Sequence, residues 1–187
     1  MILYALCDHD TLSERKLSLE DFALLAKKNQ AEIIQYRNKN GDMEEIKKNL
    51  IELRSLWDGF LIVNDKYELI PFCDGVHMGQ EDLLQIDSDI VKATKIIRKV
   101  IGSDKLLGIS THNKEEIALA NSMDLNYIGL GAYKQTSTKD VTNILGEQLD
   151  SLAALSKHKV AAIGGVRLSD SFDNVTYLVI GSGLYES

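Results

Sequence analysis

Three positively charged side chains have a placement that could bind phosphate. Arg37 and Lys39 are two positions apart, so both can point to one side of an extended strand end. Lys139 closes a hydroxyl-rich run, QTSTK, that begins at Gln135. Hydroxyls and backbone N–H groups beside a lysine can form a phosphate cradle. Similar runs also occur in ordinary surface loops, so the pattern alone leaves that interpretation open.

Two carboxylates could hold a divalent cation beside these charges. Asp65 comes just beyond an apolar run, and Asp82 lies in the GQEDL segment. Proteins typically hold Mg²⁺ through one or two carboxylates and the phosphates of the substrate, while the ion keeps several waters. Each aspartate taken singly also fits a turn or a helix N-cap. The sequence therefore favours a local anion and Mg²⁺ site and leaves the structural alternative open.

Other common chemistries find no support. The four histidines, His9, His77, His112 and His158, show no metal-ligand spacing, and His77 suits a hydrogen-bonded position inside a strand. No GxSxG, GxGxxG or GxxxxGK[ST] motif occurs, so the signatures of a serine hydrolase, a dinucleotide site and a P-loop are missing. Cys7 and Cys73 are too few and too far apart for a disulfide framework, and we expect both in the core.

The elements that must position these residues form a repeating pattern. Short runs rich in apolar and branched residues recur and are bounded by Gly, Asn, Asp or Ser, which predicts buried strands. Helical spacing follows several of them, in segments that begin at Ser18, Met43, Asp89 and Lys114. There are eight candidate strands, at 2–6, 32–36, 59–63, 74–78, 105–109, 126–130, 159–163 and 176–180.

This alternation predicts the fold class. Near-continuous apolar strands are covered on both faces, and eight strand–helix repeats favour a closed (β/α)₈ TIM barrel formed by residues 1–187 as a single domain. An open, flavodoxin-like sheet is the alternative if two strands are misassigned. The barrel would be compact, with abbreviated helices and no full C-terminal helix, because five residues follow Ser182. We expect a homodimer to cover the bare outer surface.

Composition limits the partners. The chain has 187 residues and a formal net charge of −7, which argues against nucleic acid, since nucleic-acid binding requires a basic surface. No apolar run approaches the roughly 20 residues that cross a membrane, and no basic segment precedes the apolar start. We therefore expect a cytoplasmic protein that binds small molecules.

The fold hypothesis brings the polar residues together. Parallel barrel strands share one mouth at their carboxyl ends, where this architecture carries its chemistry. Each apolar run is followed there by a polar or glycine-containing group, although turns need the same residue types. The loops after strands seven and eight often bind phosphate through bare backbone N–H groups, so IGG at 163–165 and IGSG at 180–183 predict a second anion site.

An ordered set of motifs resembles the thiamine phosphate synthase family over nearly the whole chain. The motifs are QYRNK (35–39), ND (64–65), DGVHMGQEDL (74–83), GISTH (108–112), YIGLG (127–131), TSTK (136–139), IGG (163–165) and GS (181–182). The most specific is DGVHMGQEDL. The resemblance implies a (β/α)₈ barrel enzyme that joins a hydroxymethylpyrimidine diphosphate to a thiazole phosphate and releases pyrophosphate.

The resemblance also implies site roles, position by position. On the pyrimidine side, Gln35 would contact the ring, with Ser110 near the ring and the diphosphate. The diphosphate would be held by Arg37, Lys39, Asn64 and Lys139, and Mg²⁺ by Asp65 and Asp82. The thiazole phosphate would be bound by Thr136, Thr138, Gly165, Gly181 and Ser182.

Two other functions are open. A thiazole tautomerase of the sister family moves a proton on the same barrel, and His112 could serve it, but a tautomerase should not need the full diphosphate and metal set. A non-catalytic paralogue that binds thiamine precursors is the second. The loop GAYKQTSTK also lacks the prolines usual in the synthase family, which predicts a looser thiazole end.

Overall fold

Eight parallel strands close into a barrel in chain order in the computed structural model, which describes residues 1–135 and 143–186. The strands are β1 (Ile2–Asp8), β2 (Ile33–Arg37), β3 (Phe60–Asn64), β4 (Gly75–Met78), β5 (Leu106–Thr111), β6 (Tyr127–Leu130), β7 (Lys159–Ala162) and β8 (Tyr177–Ile180). The predicted TIM barrel is confirmed, and all eight predicted strands exist with no end shifted by more than two residues. The open-sheet alternative is excluded, because β1 pairs with both β2 and β8.

Helices connect most of the strands on the outside. They are α1 (His9–Arg15), α2 (Leu19–Lys28), α3 (Met43–Leu56), α4 (Gln80–Ile86), α5 (Ile90–Ile101), α6 (Lys114–Ala120) and α7 (Gln148–Ala153). A 3-10 helix, Tyr67–Phe72, fills the short connection from β3 to β4, and another, Ser182–Glu186, follows β8. Within the described residues no helix has the length and apolar character needed to cross a membrane.

Local sequence explains where these helices begin. Ser18 caps α2 with its hydroxyl on the Asp21 N–H, while Asp21 accepts from the Ser18 N–H in return, which is a capping box. Asp42, Asp89 and Asn113 cap α3, α5 and α6 in the same way, each with a side-chain oxygen on a first-turn N–H. Polar residues just outside the strands therefore set the helix starts.

The apolar core has two layers. The larger layer lies between the strands and the surrounding helices, and a smaller cluster that includes Tyr4, Leu6, Ile62, Tyr127 and Val179 forms separately from it. The smaller cluster contains the buried hydroxyls of Tyr4 and Tyr127, and a buried hydroxyl needs a hydrogen-bond partner. Those hydroxyls connect the core to the mouth of the barrel.

Candidate active site at the carboxyl ends of the strands

Strand register places a charged pair at the mouth. Asp8 and Arg37 end β1 and β2 and are direct partners in the β1–β2 register. Their Oδ2 and Nη1 atoms are 2.5 Å apart, and both side chains are largely buried. Asp8 also caps α1, because its Oδ1 accepts from the Thr11 N–H at 3.1 Å. The pair fixes the direction of Arg37 while the other N–H groups of the guanidinium remain able to face an anion.

A row of amides runs from β2 to β3. The Gln35 amide nitrogen donates to Asn64 Oδ1 at 2.9 Å, and the Asn64 amide nitrogen donates to Asp65 Oδ2 at 2.5 Å. Gln35 is buried, whereas Asn64 and Asp65 are partly exposed. These three predicted site residues lie side by side although they come from two strands.

Asp65 and Asp82 surround one glycine. A Cβ built on Gly79 would lie 3.2 Å from Asp82 Oδ2 and 3.6 Å from Asp65 Oδ1. The Gly79 N–H donates to Asp65 Oδ1 at 2.8 Å. Burial and the nearby Asp82 raise the pKa of the Asp65 carboxyl, against the opposing effects of the Gly79 N–H, Asn64 and Arg37. Two carboxylates thus approach each other at the entrance of α4.

This pair fits a hard divalent cation. Among the described residues no group of three or more His, Cys, Asp or Glu side chains could hold a metal ion. Mg²⁺ does not need one, because it commonly binds one or two carboxylates and completes its shell with water and phosphate oxygens. A positive ion between Asp65 and Asp82 would also relieve the mutual repulsion that raises the Asp65 pKa.

Ser110 lies near the end of β5 and is held through two atoms. His77 Nε2 and Ser110 Oγ are 3.0 Å apart, and the Gln80 amide donates to the Ser110 carbonyl at 2.5 Å. His77 is a buried, hydrogen-bonded strand residue, as expected from the sequence. The carbonyl of Ser110 is therefore occupied, and the lone pairs of its hydroxyl can accept from a ligand.

One geometric expectation is wrong. Arg37 and Lys39 do not share one face of an extended strand end, because β2 ends at Arg37 and Lys39 lies in an exposed bend. Between them Asn38 turns inward, where its amide accepts from the Gly41 N–H and donates to Glu45. Only Arg37 is built into the mouth as described.

Three predicted residues, Thr136, Thr138 and Lys139, lie outside the described residues. The chain just before them packs on the loop that follows β7. The Tyr133 and Lys134 N–H groups donate to the carbonyls of Ile163 and Gly164 at 2.9 and 2.8 Å. The last described residues before them, up to Gln135, therefore lie beside the glycines that follow β7.

The glycine segments after β7 and β8 differ in their packing. Gly165 has a φ of +67°, and a Cβ there would lie 2.8 Å from the Gln135 carbonyl oxygen. Gly181 has ordinary space, since its nearest neighbours would be 3.6 Å or more from an added Cβ. Ser182 begins the 3-10 helix that follows β8. Glycine is thus structurally required at 165 but not at 181.

Sequence reasoning missed the partners that hold these side chains. Asp8 follows the predicted strand 2–6, and Tyr4 and Tyr127 lie inside the predicted strands 2–6 and 126–130, where no role was predicted for them, yet Tyr4 donates to Gln35 Oε1 at 2.7 Å. The available signal was an aromatic hydroxyl inside an apolar strand, since such a group must find a partner. Strand register, which pairs Asp8 with Arg37, could not be read before the barrel was known.

The comparisons with known proteins agree with this architecture. Residues 3–177 match the family model described as thiamine monophosphate synthase. A thiamine-phosphate synthase of Persephonella marina is 34% identical over 73% of this chain and 64% of its own length. One from Ruminiclostridium cellulolyticum is 31% identical over 90% of this chain and 78% of its own length. The chain thus spans a little under two thirds of the first of these relatives.

A solved structure shares the fold. The thiamine phosphate pyrophosphorylase of Pyrococcus furiosus superimposes with a TM-score of 0.75 at 23% sequence identity. The match covers 97% of this chain and 85% of that one. The superposition supports the barrel architecture of this chain.

Proposed function

Because this chain belongs to the thiamine monophosphate synthase family, we propose that it is a thiamine phosphate synthase. This transferase would join 4-amino-2-methyl-5-hydroxymethylpyrimidine diphosphate to 4-methyl-5-(2-phosphooxyethyl)thiazole and give thiamine phosphate and pyrophosphate. One observation carries the proposal. Asp65 accepts from the Asn64 amide, and the charges of Arg37 and Asp82 lie close enough to act on its carboxylate.

The reaction asks the protein to stabilise a departing diphosphate. The C–O bond between the pyrimidine methylene and the diphosphate breaks, and its electron pair leaves with the diphosphate. The thiazole nitrogen then uses its lone pair to form the new C–N bond to the pyrimidine-stabilised carbocation. Since that nitrogen carries no proton, no general base is needed, and preorganised positive charge is the main requirement.

Each chain residue has a definite task in this proposal. Arg37, Lys39, Asn64 and Lys139 bind the diphosphate, and Asp8 orients Arg37 through their 2.5 Å contact. Gln35 and Ser110 hold the pyrimidine. Asp65 and Asp82 would hold Mg²⁺, which would neutralise part of the leaving-group charge.

The thiazole phosphate would bind at the opposite side of the mouth. We assign this anion to Thr136 and Thr138 and to the backbone at Gly165, Gly181 and Ser182. The support is the open space at Gly181 and the approach of residues 133–135 to the β7 loop. Backbone N–H groups suit a phosphate because they donate without carrying a side chain into the site.

The test is pyrophosphate release by the purified protein. With both substrates and Mg²⁺ we expect release together with thiamine phosphate, and a chelator should abolish both. Asp58→Asn is the control and should leave the release unchanged, because Asp58 is exposed and precedes β3, at the end of the strands away from the mouth. Binding of both substrates without any product would contradict the proposal and identify a non-catalytic paralogue.

The thiazole tautomerase has one observation in its favour. His112 Nδ1 lies 2.9 Å from Glu116 Oε2, and the His112 N–H donates to the same oxygen at 2.8 Å. A carboxylate that orients an imidazole is suited to proton transfer. A tautomerase would isomerise the thiazole without the pyrimidine diphosphate and release no pyrophosphate, so the same assay separates the two functions.

We also propose a homodimer and a cytoplasmic location. In the described part of the chain no α-helix lies between β7 and β8, and Leu168 in that connection is exposed. A second copy over this outer surface would bury it. Sedimentation at micromolar concentration should give a dimer, and a stable monomer would contradict the homodimer.

A further inference from the structure

Seven side chains form one continuous hydrogen-bond chain across the barrel. We name it the interior chain, and one member comes from each strand from β1 to β6. In order of contact it contains Ser110, His77, Tyr127, Tyr4, Gln35, Asn64 and the terminal Asp65. It therefore joins the proposed pyrimidine contact Ser110 to the proposed metal ligand Asp65.

The contacts are short throughout. His77 Nδ1 and the Tyr127 hydroxyl are 3.0 Å apart, and the Tyr127 and Tyr4 hydroxyls are 2.9 Å apart. Tyr4 reaches Gln35 Oε1 at 2.7 Å. All four side chains are buried. Bulk water therefore cannot freely replace a missing hydrogen-bond partner in this part of the interior chain.

The acceptor at one end determines the direction of every bond. The Asn64 amide donates from its nitrogen to Asp65 Oδ2 and turns its oxygen to the Gln35 amide nitrogen. Gln35 consequently presents its nitrogen to Asn64 and its oxygen to Tyr4. Tyr4 must then donate to Gln35 and accept from Tyr127, which leaves the Tyr127 oxygen to accept from His77 Nδ1–H.

From this we propose that Tyr4 and Tyr127 are positioning residues that hold His77 as the Nδ1–H tautomer. In that tautomer Nε2 is an acceptor, and the Ser110 hydroxyl donates its hydrogen bond to it. Ser110 Oγ then meets a ligand in the mouth only as an acceptor. The functional part of this inference rests on the proposed synthase activity, whereas the tautomer itself does not.

Two strand glycines leave the space that the rings of Tyr127 and His77 occupy. A Cβ on Gly108 would lie 2.2 Å from the Tyr127 ring, and a Cβ on Gly129 would lie 2.9 Å from the His77 ring. The two rings stack with centroids 5.5 Å apart and an interplanar angle of 25°. Any larger residue at 108 or 129 would displace a ring, so the strands leave space for this arrangement and for little else.

Both tyrosines remain donors over the working range of pH. Burial is the main cause that raises the pKa of the Tyr4 and Tyr127 hydroxyls well above the ordinary value. Each hydroxyl therefore keeps its proton at neutral pH and can pass on the direction of donation set at Asp65.

The decisive measurement is ¹⁵N NMR of the full chain labelled at histidine, in mildly alkaline buffer where a free imidazole is neutral. The His77 signals are identified by their loss in His77→Gln. We expect Nδ1 to carry the proton and Nε2 to be bare in the wild-type protein. A wild-type Nε2–H tautomer would overturn the inferred direction, whatever the activity of the protein.

Matched variants test the positioning role. Tyr127→Phe should admit the Nε2–H tautomer and raise KM for the pyrimidine diphosphate about tenfold, as expected for one lost hydrogen bond, with little change in KM for the thiazole phosphate. Tyr177→Phe is the control, because its ring packs edge-on against Tyr4 and Tyr127 while it is not a member of the interior chain. Equal effects of the two variants would overturn the role.

A second variant protects the test from misfolding. If Tyr127→Phe does not fold, Tyr4→Phe removes the neighbouring hydroxyl and should shift the same His77 signals. Absence of pyrophosphate release by the wild-type protein would contradict the proposed function, while the wild-type tautomer would still decide the direction of the interior chain.

Discussion

The two sides of the barrel mouth are built in different ways. At β1 to β5 the mouth is lined by polar and charged side chains that hold one another, from the Asp8–Arg37 pair to Asn64 and Asp65. At β7 and β8 it is lined by glycine-rich backbone. The first side must satisfy several partly buried polar groups at once, because each unpaired group would cost about 1–3 kcal/mol. The second side presents backbone N–H donors at glycines, which carry no side chain that must find a partner.

The contrast teaches where each side is vulnerable. A substitution on the side-chain side should remove function directly and leave partners unsatisfied. A substitution on the glycine side should act through backbone conformation or through space. The following predictions test this distinction, beginning with the largest effect.

Removing the carboxylate that the proposed metal site shares with the interior chain should have the largest effect. We expect Asp65→Ala to lower kcat by about 10² to 10³, or about 2.7–4 kcal/mol, as does the loss of one preorganised electrostatic contact. Lys139→Ala should lower it by 10² or more for the same reason. Pyrophosphate release measures both, with circular dichroism to verify the fold. Near-normal rates in both variants would refute the assigned roles.

Breaking the buried ion pair should destabilise the fold strongly. Asp8→Asn keeps an oxygen for the α1 cap but leaves Arg37 without its counter-charge, so we expect a loss of about 3 kcal/mol in the free energy of unfolding. Denaturant unfolding measures this loss. The control is Glu44→Gln, whose exposed contact with Lys47 is 3.9 Å long and should contribute about 0.5 kcal/mol or less. Similar losses in both variants would mean that burial of the pair does not matter.

On the glycine side, Gly165→Ala should destabilise by about 2 kcal/mol. The residue has a φ of +67°, which costs a residue with a Cβ about 1–2 kcal/mol, and the new methyl would press on the Gln135 carbonyl. Thermal unfolding under matched conditions measures this loss. An unchanged melting temperature would show that the loop after β7 adapts freely.

The smallest effect on stability is expected at Gly181. Since an added Cβ would make only ordinary contacts there, Gly181→Ala should change the free energy of unfolding by less than about 0.5 kcal/mol. If the backbone at this position approaches the thiazole phosphate, KM for that substrate should nevertheless rise. An unchanged KM would remove Gly181 from the proposed anion site and sharpen the contrast with Gly165.

Much of the fold was predictable from the sequence because its signals are local. Apolar runs bounded by turn formers indicated all eight strands, and residues such as Ser18 and Asp89 marked helix starts through their capping chemistry. The ND and GQEDL segments likewise indicated Asp65 and Asp82 as a pair. The predicted placement of Lys39 beside Arg37 on one strand face was wrong. Strand β2 ends at Arg37 and Asn38 turns inward, and the spacing of two cations does not reveal this.

Residue types and order by themselves determined the barrel, the carboxyl-end location of the polar residues and the family resemblance, because each follows from periodicity or from short motifs. Only the tertiary structure decided which groups touch. The pairing of Asp8 with Arg37 and the interior chain from Ser110 to Asp65 depend on strand register, which joins residues up to 123 positions apart. Hydrogen bonds act over about 3 Å, so a contact between distant segments exists only after the closed barrel has placed them side by side.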